Sequence, residues 1–270
     1  MSSPFHVVVC ASIVPDPLQT LEPVVSPTGP GLKNEMMLPA ILDPWAAHAL
    51  YEAAHLVKQV AGSKLWLVSM APKAKLQQVM MTIAQRVPLQ LVAVDGPCGG
   101  FADAHQTAAA LASAIRKIDG LDLSRMLLFG GWESASRSAG VTLQLVGEQL
   151  GIVAQFQGVD SIKPQEDGSF EVLERIEGAR HQVSVCSGPP AVLGWATGSL
   201  GEPRNDPQVG MQNMRAIMPA LQRAAAAAIA LDGLQYADVA TPLQQRNTQI
   251  VKDKTADEIA REIVQWIGQE

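Results

Sequence analysis

Short apolar runs alternate with stretches of helical apolar spacing along the first half of the chain, and no feature constrains the fold more. Phe5–Ala11 reads as a first buried strand, and a helix capped by Asp43 with Pro44 in its first turn follows a long loop. Lys64–Met70 and then Pro72–Arg86 repeat the pattern, as do Leu89–Val94 and Asp103–Ile118. Strands that take turns with helices of this length pack as a parallel sheet with helices on both faces, so the expected class is a Rossmann-like α/β fold. The loop between the first strand and its helix, Ser12–Asp43, is rich in Pro and Gly and has room for a hairpin. It leaves the end of a strand, where open α/β sheets bind their ligands.

The next repeat carries the chemistry. Arg125–Phe156, RMLLFGGWESASRSAGVTLQLVGEQLGIVAQF, opens with the strand-like run Met126–Phe129, which Gly130 and Gly131 break into a tight turn. Ser134, Ser136 and Ser138 are suited to cap the helix whose stripe is Ala139, Leu143, Val146 and Leu150, with Gly151 at its end. A strand, a glycine turn and a helix start make an anion site, because orphan N–H groups and the helix dipole both favour phosphate. The same pattern is also that of an ordinary strand-to-helix turn.

Beyond Ala154 the period changes. Gln155–Lys163, Ser169–Ile176 and His181–Cys186 read as an antiparallel strand extension with hairpin turns at EDGS and EGA. Ala191–Ala196 is a further apolar strand, Thr197–Val209 a polar loop, and Met211–Ala230 a helix that includes the alanine run. Leu231–Gln249 has no regular pattern, and Thr255 then caps an amphipathic helix, Ala256–Ile267. The expected organisation is an α/β domain over residues 1–230 and a C-terminal helical arm over residues 231–270.

Composition removes several classes of function. A net charge of −6 argues against a nucleic-acid surface, and 4% aromatic residues provide no platform for stacked bases. Cys10, Cys98 and Cys186 are far apart and form no CxxC pair, and the histidines have no metal-ligand spacing. No apolar run approaches the ~20 residues of a membrane span, and the N-terminus lacks the charged start of a signal peptide. A soluble, cytoplasmic protein with no membrane insertion is expected. Neither GxSxG nor a Walker lysine motif is present, and the first strand is not followed by GxGxxG. Binding or carriage is therefore expected rather than catalysis.

Four segments, in order, resemble the β subunit of the electron transfer flavoprotein family. CASIVPD at Cys10–Asp16 is similar to the family's CVKxVPD, with Ser12 in place of Lys. Asp43-Pro44-Trp45, followed by Ala49 and Glu52-Ala53, resembles its NPF helix start, with Asp for Asn and Trp for Phe. LLFGGWES…SAG…LG…AQF stands where the family has its nucleotide run, and the segment from Glu174 to Arg204, with PAVLGWATG…EPR, resembles its signature. The resemblance implies a Rossmann-like domain that pairs in a heterodimer with a larger α subunit, which holds most of the FAD. The complex would carry electrons from acyl-CoA-type dehydrogenases to a quinone-linked acceptor, and the chain would not be an enzyme by itself.

Carried over residue by residue, the resemblance assigns contacts with a structural AMP to Cys10, Asp43, Met70, Gly130 and the run Arg137, Ser138, Ala139, Gly140, Val141 and Thr142. Trp45 would lie near the partner's flavin, the Gly201–Met214 loop would meet the dehydrogenase, and the C-terminal arm would embrace the α subunit. The departures fall in the nucleotide run, where SASRSAG replaces the family's acidic residues and Gln-Thr pair. Backbone N–H groups and Arg137 then cradle the phosphate of AMP, or the site has lost its nucleotide. A stand-alone adenine-nucleotide-sensing module is the rival expectation.

Overall fold

The computed structural model describes residues 4–26, 29–98, 100–229, 233, 236, 240, 248 and 250–268. The chain divides into two compact units, Met1–Val239 and Ala240–Glu270. In the first, the elements in chain order are β1 (His6–Cys10), β2 (Ile13–Pro15), β3 (Pro23–Ser26), β4 (Gly29–Leu32), β5 (Ala40–Leu42), α1 (Pro44–Gln59), β6 (Lys64–Met70), α2 (Lys73–Ile83) and β7 (Gln90–Asp95). They continue with α3 (Ala104–Arg116), β8 (Met126–Gly131), α4 (Val141–Gln149), β9 (Ala154–Pro164), β10 (Phe170–Ile176), β11 (Arg180–Cys186), β12 (Ala191–Trp195), α5 (Pro207–Gln222) and β13 (Ala225–Ala226).

Among the described residues nine strands form one sheet, in the order β11-β10-β9-β12-β8-β1-β6-β7-β13. From β9 to β13 every neighbouring pair is parallel, and β10 and β11 extend one edge as antiparallel strands. The expected mixed α/β class and antiparallel extension are therefore present. Alternation along each central strand divides the core in two. Val7, Val9, Leu65, Leu67 and Phe129 face α1, α2 and α5, whereas Val8, Trp66, Val68 and Leu128 face α3 and α4. The segment between β1 and α1 holds two small antiparallel pairs, β2 with β5 and β3 with β4.

Three readings need correction. The serines after Gly131 do not cap a helix. Ser134 O accepts N–H groups of Arg137 and Ser138 in a turn, Ser138 adopts φ 50°, and α4 starts only at Val141, with Gly140 as an N-cap that offers no side chain. The polar loop after β12 ends at Asp206, whose carboxyl accepts the N–H groups of Gln208 and Val209 and so starts α5 at Pro207. The alanine run does not continue that helix. Ala225 and Ala226 pair with Val94 and Asp95 at the sheet edge, and Ala227 N–H donates to Asp95 O at 2.8 Å. Hydrogen bonds offered by an open edge outweigh the small helix preference of alanine here. Most of Leu231–Gln249 lies outside the described residues.

In the second unit, α6 (Ala256–Ile267) starts with a reciprocal capping box between Thr255 and Glu258. Ile263, Val264, Trp266 and Ile267 are exposed. Among the described residues no helix is long and apolar enough to cross a membrane.

Candidate functional site

Strands β1 and β8 are neighbours, but the helices that follow them leave in opposite directions. α1 packs on the face of Val7 and Val9, and α4 on the face of Val8 and Leu128. Divergence of this kind opens a crevice outside the carboxyl ends of the two strands, the switch point where doubly wound sheets bind ligands. A cleft of ≈ 960 Å³, part of it open to solvent, lies there.

Eight of the residues expected at a nucleotide site line this cleft: Cys10, Asp43, Met70, Arg137, Ala139, Gly140, Val141 and Thr142. Gly130 and Ser138 do not, nor does Trp45, which was expected near the partner's flavin. Gly130 sits behind the lining, where a Cβ would come within 2.9 Å of Leu143 and 3.1 Å of Cys10 O. Trp45 is the second residue of α1, and its Cβ packs where a side chain on Gly131 would have to be. Ser138 is exposed on the turn. The opposite wall comes from residues that had no local signal: Cys98 and Ala102 after β7, and Thr107 and Leu111 of α3.

Asp43 organises the rim. It is 1% exposed; Oδ1 accepts Trp45 N–H at 3.1 Å and Oδ2 accepts Ala135 N–H at 2.9 Å. Burial pushes its carboxyl above the usual range, and hydrogen bonds from Ala135, Trp45, Ala46 and Ser12 offset only part of that. At the base, Ser69 Oγ donates to Ala11 O at 2.7 Å and fixes the end of β1. The Cys10 thiol is pushed up to about 12 by burial, so it is a neutral wall rather than a nucleophile.

The first turn of α4 faces the cleft with no side-chain cap and no acidic residue. Its leading N–H groups therefore remain available to an anion, and the helix dipole adds to their pull. Gly140 is obligatory, because a Cβ there would lie 1.4 Å from Trp132 O. Arg137 lines the cleft and donates through Nη2 to Ala102 O, joining its two walls. Together these groups fit a phosphate-bearing ligand. Among the described residues no cluster of His, Cys, Asp or Glu could hold a metal.

A second surface is the segment after β12. Only Gly201–Asp206 of the expected Gly201–Met214 loop is loop; the remainder forms the start of α5. Even the loop is held along its length. Thr197 Oγ1 meets Asp160 at 3.2 Å, and Glu52 Oε1 accepts Ser199 N–H at 2.6 Å, Ser199 Oγ at 3.1 Å and Leu200 N–H at 3.0 Å. Arg86 pairs with Glu202 and donates from Nε to Asn205 Oδ1 at 3.1 Å, and Asp206 N–H donates to Gln85 O at 2.7 Å. Glu52 and Arg86 lie within or just after helices, and sequence reading assigned neither a role.

These features define a doubly wound α/β protein with a switch-point cleft suited to an anion. No protein-family model matches the chain, and no curated protein matches it.

Proposed function

We propose that the chain is a β-type subunit of an electron transfer flavoprotein. It pairs with an FAD-bearing α-type subunit as a cytoplasmic heterodimer and carries electrons from an acyl-CoA-type dehydrogenase to a quinone-linked acceptor. The observation that carries this reading is convergence. Three of the segments whose residues resemble that family, Cys10–Asp16, the start of α1 and the run from β8 to α4, contribute to one cleft. The fourth supplies the held loop from Thr197 to Arg204.

In this reading the partner's FAD, when bound, supplies the electron transfer, and the chain itself binds and orients. Trp45 at the start of α1 stands near the flavin, the loop and the beginning of α5 meet the dehydrogenase, and residues 231–270 reach the α subunit. AMP occupies the switch-point cleft, its phosphate on the α4 N-terminus beside Arg137.

A second reading, a stand-alone adenine-nucleotide-binding module, rests on the same cleft with the uncapped start of α4. Purification of the tagged protein from its native host separates the two. A yellow complex with one larger chain and about one flavin per pair is expected, whereas a colourless homo-oligomer overturns the carrier reading. AMP released on denaturation, and AMP binding weakened about tenfold or more by Arg137→Gln, as loss of a charge-assisted hydrogen bond implies, support the cleft assignment. Undiminished binding refutes the role of Arg137.

A further inference from the structure

A second cleft, of ≈ 970 Å³ including space open to solvent, shares no lining residue with the first. Its walls are apolar, with Ile41 and Leu42 from β5, Ala47 from α1, and Val79 and Ile83 from α2. Five polar side chains, His48, Tyr51, Thr82, Arg86 and Glu202, also line it. Apolar walls with a few convergent polar groups are what small-molecule sites are made of.

The cationic group already holds a carboxylate. Glu202, carried in by the loop after β12, pairs with Arg86, and Tyr51 Oη lies 3.5 Å from its Oε1. Glu202 remains 57% exposed, so this internal occupant sits at the rim and leaves the apolar part of the cleft unfilled.

We propose that this cleft binds a small monocarboxylate with an unbranched apolar tail. Its carboxylate takes the place of Glu202 at Arg86 and Tyr51, and its tail lies along Ile41, Leu42, Val79 and Ile83. The planar guanidinium fork matches a carboxylate. Displacing Glu202 costs little, because a largely exposed ion pair contributes little. The tail gains what Glu202 lacks, contact with the apolar walls. The inference is independent of the electron-carrier reading.

Isothermal titration calorimetry of the full chain with butanoate, pentanoate and hexanoate tests it. Saturable binding is expected, tightening about fourfold with each added methylene, the factor that burial of one CH₂ implies. Glu202→Gln removes the competing carboxylate and tightens hexanoate binding about threefold. Arg86→Met weakens hexanoate binding several-fold, and hexan-1-ol binds the wild type several-fold more weakly than hexanoate. The absence of saturable hexanoate binding in both wild type and Glu202→Gln overturns the proposal. So does hexan-1-ol binding as tightly as hexanoate, or weaker binding by Glu202→Gln. That variant alters an exposed side chain, so the test stands even where Arg86→Met fails to fold.

Discussion

Asp43 and Ala135 are 92 residues apart, yet Oδ2 of the one accepts the backbone N–H of the other at 2.9 Å in the rim of the switch-point cleft. The same carboxyl caps α1 through Trp45 N–H. One buried group thus joins the helix after β1 to the turn after β8, the two strands between which the cleft opens.

Burial holds the Asp43 carboxyl above its usual pKa, which gives a pH signature. Between the unfolded and the raised folded value the native state binds more protons, so stability falls as pH rises through that window. Asp43→Asn removes this contribution. It keeps a competent cap but turns an amide donor or a single acceptor towards two N–H groups, at a cost of about 1 kcal/mol near neutral pH. Denaturant melts of both proteins across the mildly acidic range are expected to diverge as pH falls, where the wild type gains the stability of its protonated carboxyl, and to converge towards the neutral-pH difference as it rises. Parallel curves would refute the assignment.

Gly140 and Gly151 test whether the anion cradle depends on close backbone approach. A Cβ on Gly140 would lie 1.4 Å from Trp132 O, whereas Gly151, at φ 75°, has nothing within 4 Å. Gly140→Ala is expected to cost about 3 kcal/mol or more, the upper end of overpacking. Gly151→Ala costs only about 1–2 kcal/mol, that of the left-handed backbone alone. Midpoints of chemical denaturation measure both, and equal losses would refute the distinction.

What sequence revealed of this protein was what depends on near neighbours. Lys64–Met70 is a strand from its first residue to its last, because the apolar run Leu65–Val68 at its centre is bounded by a turn on one side and followed by a proline on the other. Thr255 carries its capping partner three residues on, and the helix starts there. Cys10, Asp43 and Met70 were assigned through the family resemblance, and they line the cleft because strand ends and helix starts converge on that edge of a doubly wound sheet. The alanine run was misread because its partner, β7, lies more than a hundred residues earlier. The start of α4 was misread because a chain segment passing close to Gly140 fixes it, not the nearby serines. The partners of Glu52 and Arg86 left no local trace, since they are 147 and 116 residues away.

Glu52 is expected to control the order of the loop. It is buried, it accepts three hydrogen bonds from Ser199 and Leu200, and Gly198 has φ 64° where a Cβ would come within 2.6 Å of its Oε1. Glu52→Ala leaves those N–H groups without an acceptor, at about 1–3 kcal/mol, and frees the chain around Arg204. Trypsin is expected to cut after Arg204 at least tenfold faster in this variant, with Glu52→Gln partly restoring resistance because an amide oxygen still accepts. Cleavage at the wild-type rate in Glu52→Ala would show that Arg86 and Asp206 suffice to hold the loop.

Asp160 ties the antiparallel extension to the same loop and carries the opposite pH signature. An irregularity in the β9–β10 register leaves it unpaired between Ser161 and Val159, where it meets Arg175 at 2.9 Å, His181 Nε2 at 2.9 Å and Thr197. Partial burial pushes its carboxyl up, but hydrogen bonds from His181 and Arg175, with the charge of Arg175, outweigh that and hold it below the usual range. The unfolded state therefore takes up the proton first on acidification. The stabilisation is complete above the unfolded carboxylate value of about 4 and is lost as pH falls towards the lower folded value. Asp160→Asn is expected to lower stability at neutral pH and to flatten the acid limb of the stability curve, leaving the two proteins nearly equal at the acid end. An acid limb as steep in the variant as in the wild type would assign that loss to other carboxyls.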